Sequence, residues 1–256
     1  MRRALFAALL AAGLAAPAPA GEQVARYRAA GPDARLFEQY DNDGYSLQVA
    51  AGADGSLDLE VRVSDAPLLS AAAFPTDAPR DAKLPAAPER DAFARQAVGE
   101  SRRQADAVRR VLLALATEVR YDPDHTRRQD PAAVFASRRA YCVGFAELAV
   151  DLLRRVGITA RTVQGILRTE PGNPAWEAAI GGAYHRWIEV YYPDRGFVFS
   201  DPRLSINGVD ARYIPFTTRA LARPRALEVR LTGLEGELKY DPVRAGDTTV
   251  RVRAAR

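Results

Sequence analysis

The hydrophobic period of this chain changes twice, from two residues to a helical spacing and back to two. That order confines the fold to helices packed on antiparallel strands. Tyr45, Leu47 and Val49 alternate, and Leu57, Leu59, Val61 and Val63 alternate again beyond the turn dipeptide Asp54-Gly55, which predicts a hairpin. Residues 64–90 are rich in Pro and Ala and read as a connector. From about Arg90 to Arg120 the spacing turns helical, as one helix or two. Val108, Val111, Leu112, Leu115 and Val119 mark one face, and Tyr121-Asp122-Pro123 closes the segment. Another helix begins near Cys142, with Phe145, Leu148, Ala149, Leu152, Leu153 and Val156 as its apolar stripe and Gly157 as its stop. Strands follow at Thr159–Leu167, Tyr184–Tyr192 and Gly196–Asp201, the last two joined through Pro193-Asp194-Arg195-Gly196. Alternation returns at Leu227–Leu231 and Thr248–Arg253. The expected class is α+β, helices on an antiparallel sheet with flanking β-strands.

Residues 1–20 read as an export signal. Arg2 and Arg3 precede a 13-residue uncharged run, Ala4 to Ala16, and Ala18-Pro19-Ala20 supplies the small residues of a cleavage site before Gly21. The run is shorter than the roughly 20 apolar residues a bilayer span needs. The expectation is a protein cleaved after Ala20, periplasmic or secreted, with no stable membrane insertion; an uncleaved anchor is the other reading. The remaining chain divides as 21–87 (β-containing region and connector), 88–220 (core) and 221–256 (C-terminal strands).

Composition excludes several classes. With 48% apolar and 27% charged residues the chain is not a disordered one. Its net charge of +4, two units of it from Arg2 and Arg3, is too weak to argue for nucleic-acid binding. A single Cys forbids an intrachain disulfide, and one Cys with two His cannot close a structural zinc site of such ligands. Neither a metal nor a cofactor is expected.

In an oxidising compartment a lone Cys is either buried and inert or kept for its chemistry. Cys142 stands at the start of a predicted helix, where the dipole favours a thiolate. His185 opens a strand on which His185, Trp187, Glu189 and Tyr191 share a face. Asp201 closes the partner strand, so the hairpin brings it within a rung or so of His185. A thiol, an imidazole and an orienting carboxylate suffice for nucleophilic acyl transfer. Two other readings stand beside this one: a surface His with a turn Asp, and a metal-dependent hydrolase using His185, Glu189 and Asp201, for which no standard metal signature is present.

Residues 108 to 202 resemble the transglutaminase-like superfamily, a papain-related fold. The resemblance rests on Val119-Arg120-Tyr121-Asp122-Pro123, on Asp130 to Gly144 around Ala140-Tyr141-Cys142-Val143-Gly144, on Leu152 to Val163, on His185-Arg186-Trp187-Ile188-Glu189-Val190-Tyr191 and on Asp201-Pro202. It implies Cys142 as nucleophile, His185 as base and then acid, and Asp201 as orienting carboxylate. The implied activity is acyl transfer from peptide or glutamine-type amides through a Cys142 thioester, ending in hydrolysis or transamidation. The implied partner is a protein or peptide substrate, including one of the cell envelope; an inactive peptide-binding module is the alternative. Tyr121, Tyr141 and Trp187 are candidates for the site wall or an oxyanion donor. Ala140 stands where relatives often carry Gly, which limits access to positive φ there. His125 reads as a solvated loop residue, Trp176 as a cleft or loop anchor, and Arg138-Arg139 and Arg154-Arg155 as solvated helix ends.

Overall fold

The computed structural model describes residues 21–64, 66, 68–74, 78–168, 184–216 and 226–236, and the backbone of 249–253. The expected export segment and Trp176 lie outside these residues.

The chain opens with β1 (Glu22–Ala30), a short 3-10 turn (Pro32–Leu36), β2 (Tyr40–Asn42), β3 (Tyr45–Ala51) and β4 (Leu57–Ser64). After the connector come α1 (Pro88–Val98), α2 (Gln104–Glu118), β5 (Arg120–Tyr121), α3 (Pro131–Ser137), β6 (Arg139–Ala140) and α4 (Cys142–Arg155). The chain continues with β7 (Ala160–Leu167), β8 (Tyr184–Tyr192), β9 (Gly196–Ser200) and β10 (Tyr213–Pro215), then β11 (Ala226–Glu235) and β12 (Thr249–Arg253). Both expected hairpins form: Tyr45 pairs with Val63, and Tyr192 with Gly196, whose φ of 80° suits Gly in the turn.

While β5 and β6 form a short parallel pair of their own, two antiparallel sheets carry the other ten strands. One has six strands in the order β12-β11-β1-β4-β3-β2, the other four in the order β10-β7-β8-β9. Strand β1 is one of the elements that periodicity does not reveal. It holds Val24, Ala25, Tyr27 and Ala29 buried, and pairs with β4 on one side and β11 on the other. The N-terminal and C-terminal strands are therefore parts of a single sheet.

The molecule is layered sheet on sheet on helices. Leu47, Leu59, Val61 and Leu231 of the larger sheet meet Ile166, Trp187, Phe199 and Tyr213 of the smaller one. On the other face of the smaller sheet, Ile188, Val190, Tyr192 and Val198 meet Val108, Leu112, Leu115, Leu148 and Leu152 of the helices. Alternation along β8 thus feeds two separate cores. Trp187 is fully buried, and truncating it would cost about 3–5 kcal/mol.

Helix α4 stops at Gly157, which takes φ 77° while the Ile158 N–H returns to the Leu153 carbonyl. Its last residue departs from the solvated helix end expected. The Arg155 side chain is fully buried, donating to Asp151 at 2.7 and 2.9 Å and to Asp91 at 2.6 Å. Paired carboxylates are what allow a guanidinium to sit there. Arg154, in contrast, stays partly exposed and pairs with Asp81.

Candidate active site

Helix α4 starts at Cys142 because the chain is held just upstream. The parallel bridge of β5 and β6 pairs Tyr121 with Ala140, and the Asp122 N–H donates to the Ala140 carbonyl at 2.8 Å. Tyr141 is the N-cap residue in extended conformation, and its N–H donates to Gln129 Oε1 at 3.1 Å. The first N–H groups of the helix have no acceptor within it, so their partial positive charge falls on Cys142. Ala140 takes no positive φ; among the described non-Gly residues only Arg138 and Asn207 do. The restriction expected of an Ala at this position therefore has no consequence. The closely packed residue is Gly144, where a Cβ would lie 2.4 Å from Gln129 Oε1, 2.7 Å from a Val134 methyl and 2.9 Å from the Ala140 methyl.

His185 is the second residue of β8, opposite Gly165 of β7. A Cβ at Gly165 would meet the Ile214 carbonyl at 2.1 Å and the Trp187 ring at 2.7 Å, so Gly leaves the space in which the imidazole end of the strand is packed. His185 Nε2 and Asp201 Oδ2 are 2.5 Å apart, both side chains almost wholly buried. Asp201 is held on every side. Its Oδ1 accepts the backbone N–H groups of Arg203 at 2.9 Å and Leu204 at 3.2 Å, and its Oδ2 also accepts the Tyr213 hydroxyl at 3.0 Å. The imidazole is stacked on Trp187, centroids 6.1 Å apart, and Tyr213 meets it edge-on at 6.0 Å.

The charges follow from this geometry. Nδ1 is buried with no hydrogen-bond partner, and Cys142 is the other titrating group that acts on the ring. Burial opposes ionisation of Cys142, but the nearby His185, with the backbone N–H of Arg186, outweighs it and lowers the thiol pKa. Burial likewise opposes the imidazolium, and the charge and hydrogen bond of Asp201, then Cys142, overcome it and raise His185 to about 10. Asp201 is lowered despite burial, chiefly by the His185 charge. All three shifts run toward a thiolate–imidazolium pair backed by a carboxylate.

Tyr121 stands beside this pair. Burial and the Cys142 charge push its hydroxyl up to about 12, and that hydroxyl is buried with no hydrogen-bond partner. The Arg203 guanidinium lies 4.3 Å above the Tyr121 ring and 5.4 Å from that of Phe145. Tyr141 turns its ring to His125, edge-on at 4.6 Å; His125 itself is exposed, as a loop residue. Trp187 is not a wall. It has no exposed surface and backs the imidazole from the core between the sheets, against Phe199 and Tyr213. Glu189 does not join His185 and Asp201 in a metal-binding set: its carboxylate is taken by Tyr40, by Asn42 at 2.9 Å and by Arg161 at 2.6 Å. Among the described residues no group of three or more His, Cys, Asp or Glu side chains is arranged to hold a metal. Sequence reasoning missed Gln129, Arg203 and Tyr213. The Arg203 and Leu204 N–H contacts had a signal in Asp201 itself, since an Asp commonly accepts from the backbone two residues on; Tyr213 had none.

Residues 91–202 match the family model of the transglutaminase-like superfamily. A stretch of 75 residues is 37% identical to the uncharacterized protein YebA of Bacillus subtilis, covering 27% of this chain and 10% of that protein's length. Among solved structures, a candidate cysteine protease from Cytophaga hutchinsonii superposes with a TM-score of 0.44 at 13% identity, over 90% of this chain and 96% of that one. The periplasmic domain of TgpA from Pseudomonas aeruginosa, bound to ethylmercury, gives a TM-score of 0.42 at 20% identity, over 70% and 72% of the two chains. Cys142, His185 and Asp201 all fall inside the matched span, so the segment that holds the candidate site is the one similar to the transglutaminase-like superfamily.

Proposed function

We propose that this chain is an exported thiol-dependent acyl-transfer enzyme acting on peptide or glutamine-type amides, with Cys142, His185 and Asp201 as its catalytic triad. The reading is carried by one observation: Cys142 at a helix start, electrostatically coupled to an imidazole that is itself bound to a buried carboxylate. The thiolate adds to the amide carbonyl carbon. The resulting oxyanion is taken by the Cys142 backbone N–H and the Tyr121 hydroxyl. His185 gives its proton to the leaving nitrogen, the C–N bond breaks, and a thioester remains on Cys142. Water then returns the acid, or an amine gives a new amide, with His185 accepting the proton of either nucleophile. The substrate is a protein or peptide, and export of residues 21–256 after cleavage at Ala20 would put envelope peptides within reach.

A second reading, an inactive peptide-binding module on the same fold, is favoured by the near-complete burial of Cys142, only 6% exposed. Iodoacetamide separates the two. The enzyme reading expects Cys142 alkylation with an apparent pKa well below the roughly 8.5 of a free thiol. It also expects Cys142→Ala to abolish amidase, protease and amine-incorporation activities of the purified protein. Activity unchanged in Cys142→Ala, or a thiol that titrates like free Cys, sinks it.

A further inference from the structure

We infer that Tyr213 is a positioning residue for the proposed reaction, holding the Asp201 carboxylate toward His185, and that Tyr45 of the six-stranded sheet holds Tyr213 in place. The inference rests on the triad reading above. Tyr213 donates its hydroxyl to Oδ2, the same oxygen that meets His185 Nε2. The two backbone N–H groups on Oδ1 fix one oxygen but leave the carboxylate free to swing about it. Among the described residues the Tyr213 hydroxyl is the group that, besides His185, holds the oxygen facing the imidazole. Tyr213 is anchored in turn from across the sheet interface: the Tyr45 hydroxyl donates to its carbonyl at 2.7 Å, and the Tyr27 hydroxyl donates to the Ala211 carbonyl at 2.7 Å. These groups are buried, where a hydrogen bond transmits position with little slack. The larger sheet is thereby a working part of the site, since a strand outside the core segment fixes the carboxylate at its centre.

The test needs no substrate, because Cys142 is the only Cys in the chain and iodoacetamide labelling reports its thiolate alone. Sulfur displaces iodide to form the S–C bond, and mass spectrometry of the intact protein follows the rate against pH. In Tyr213→Phe the imidazolium loses its fixed partner, so the thiol pKa rises by about one unit and alkylation near pH 6 slows about tenfold, the effect of one hydrogen bond to a charged group. Tyr45→Phe shifts the profile in the same direction by less, and supplies the test by itself if Tyr213→Phe does not fold. A folded Tyr213→Phe whose profile superimposes on the wild type overturns the inference, whatever its melting temperature. So does a profile shifted to lower pH, which would mean that the hydroxyl weakens the carboxylate rather than placing it. A wild-type thiol that titrates like free Cys overturns the triad reading itself, and the inference falls with it.

Discussion

Asp201 reaches His185 diagonally. The register that pairs Ile188 with Ser200, carried one residue further, sets Trp187 opposite Asp201. His185 and Trp187 share a face, so the carboxylate crosses one step along that face to meet Nε2 at 2.5 Å. This offset makes Asp201 the largest attractive influence on the imidazole, ahead of Cys142.

Asp201→Asn removes that charge while keeping a hydrogen-bonding side chain. The His185 pKa then falls from about 10, and the alkaline limb of the Cys142 alkylation profile moves to lower pH. The acyl-transfer rate drops at least about a hundredfold, because the imidazole loses both its tautomer lock and its counter-charge. Alkylation against pH, together with the imidazole nitrogen shifts by NMR, checks both points; an unmoved alkaline limb would contradict them.

Tyr121→Phe separates catalysis from stability. The Tyr121 hydroxyl is buried and has no partner, so deleting it removes a desolvation cost of about 1–3 kcal/mol rather than an interaction. The melting temperature stays level or rises. As an oxyanion donor, however, the same hydroxyl is worth about a hundred- to a thousandfold in kcat with little change in KM. Steady-state kinetics beside a thermal melt decides the matter, and full kcat in the variant removes Tyr121 from the mechanism.

The site was legible in the sequence where its geometry is local. Cys142 at a helix start and His185 and Asp201 across a tight hairpin follow from periods and turns, with no knowledge of the rest of the chain. Period two assigns Trp187 to the His185 face but does not say what covers that face; here it is the larger sheet. Tyr213 escaped because β10 reaches the site by pairing with β7, Tyr213 opposite Leu167, a contact no local pattern encodes. Strand β1 escaped because Arg26 and Arg28 break its apolar run; they pair with Glu60, Glu235 and Asp58 from its neighbours. Arg155 read as solvated because, apart from Asp151 one turn earlier, its partners Asp91 and Pro85 lie more than 60 residues away.

Arg155→Ala tests that last point. It leaves Asp91 and Asp151 facing a buried gap, with only Arg90 still bound to Asp151 at 2.9 Å. Loss of one member of a buried ionic set costs about 3 kcal/mol or more. Urea unfolding of the variant would show it as a lower midpoint at unchanged slope; a surface arginine would move the midpoint hardly at all.

The triad also ties stability to pH, with opposite signs for its members. The His185 pKa is raised from an ordinary value near 6.5 to about 10, so its contribution is complete below about pH 6.5 and is lost as pH climbs through 10. Asp201 is lowered, so its contribution is present above about pH 4 and is lost as pH falls through its depressed folded value. Cys142 is lowered too, so its contribution accumulates as pH rises toward the roughly 8.5 of a free thiol; below that pH it offsets the His185 loss, and above it stays constant. The triad's net contribution therefore declines most steeply between about pH 8.5 and 10, where the Cys142 gain is already complete. Thermal melts across pH 5.5–10 should show wild type losing stability over that window relative to His185→Gln, which lacks the titrating ring. Parallel curves for the two proteins would mean that the imidazole is not held as a cation in the folded state, and the thiolate it is meant to stabilise would go with it.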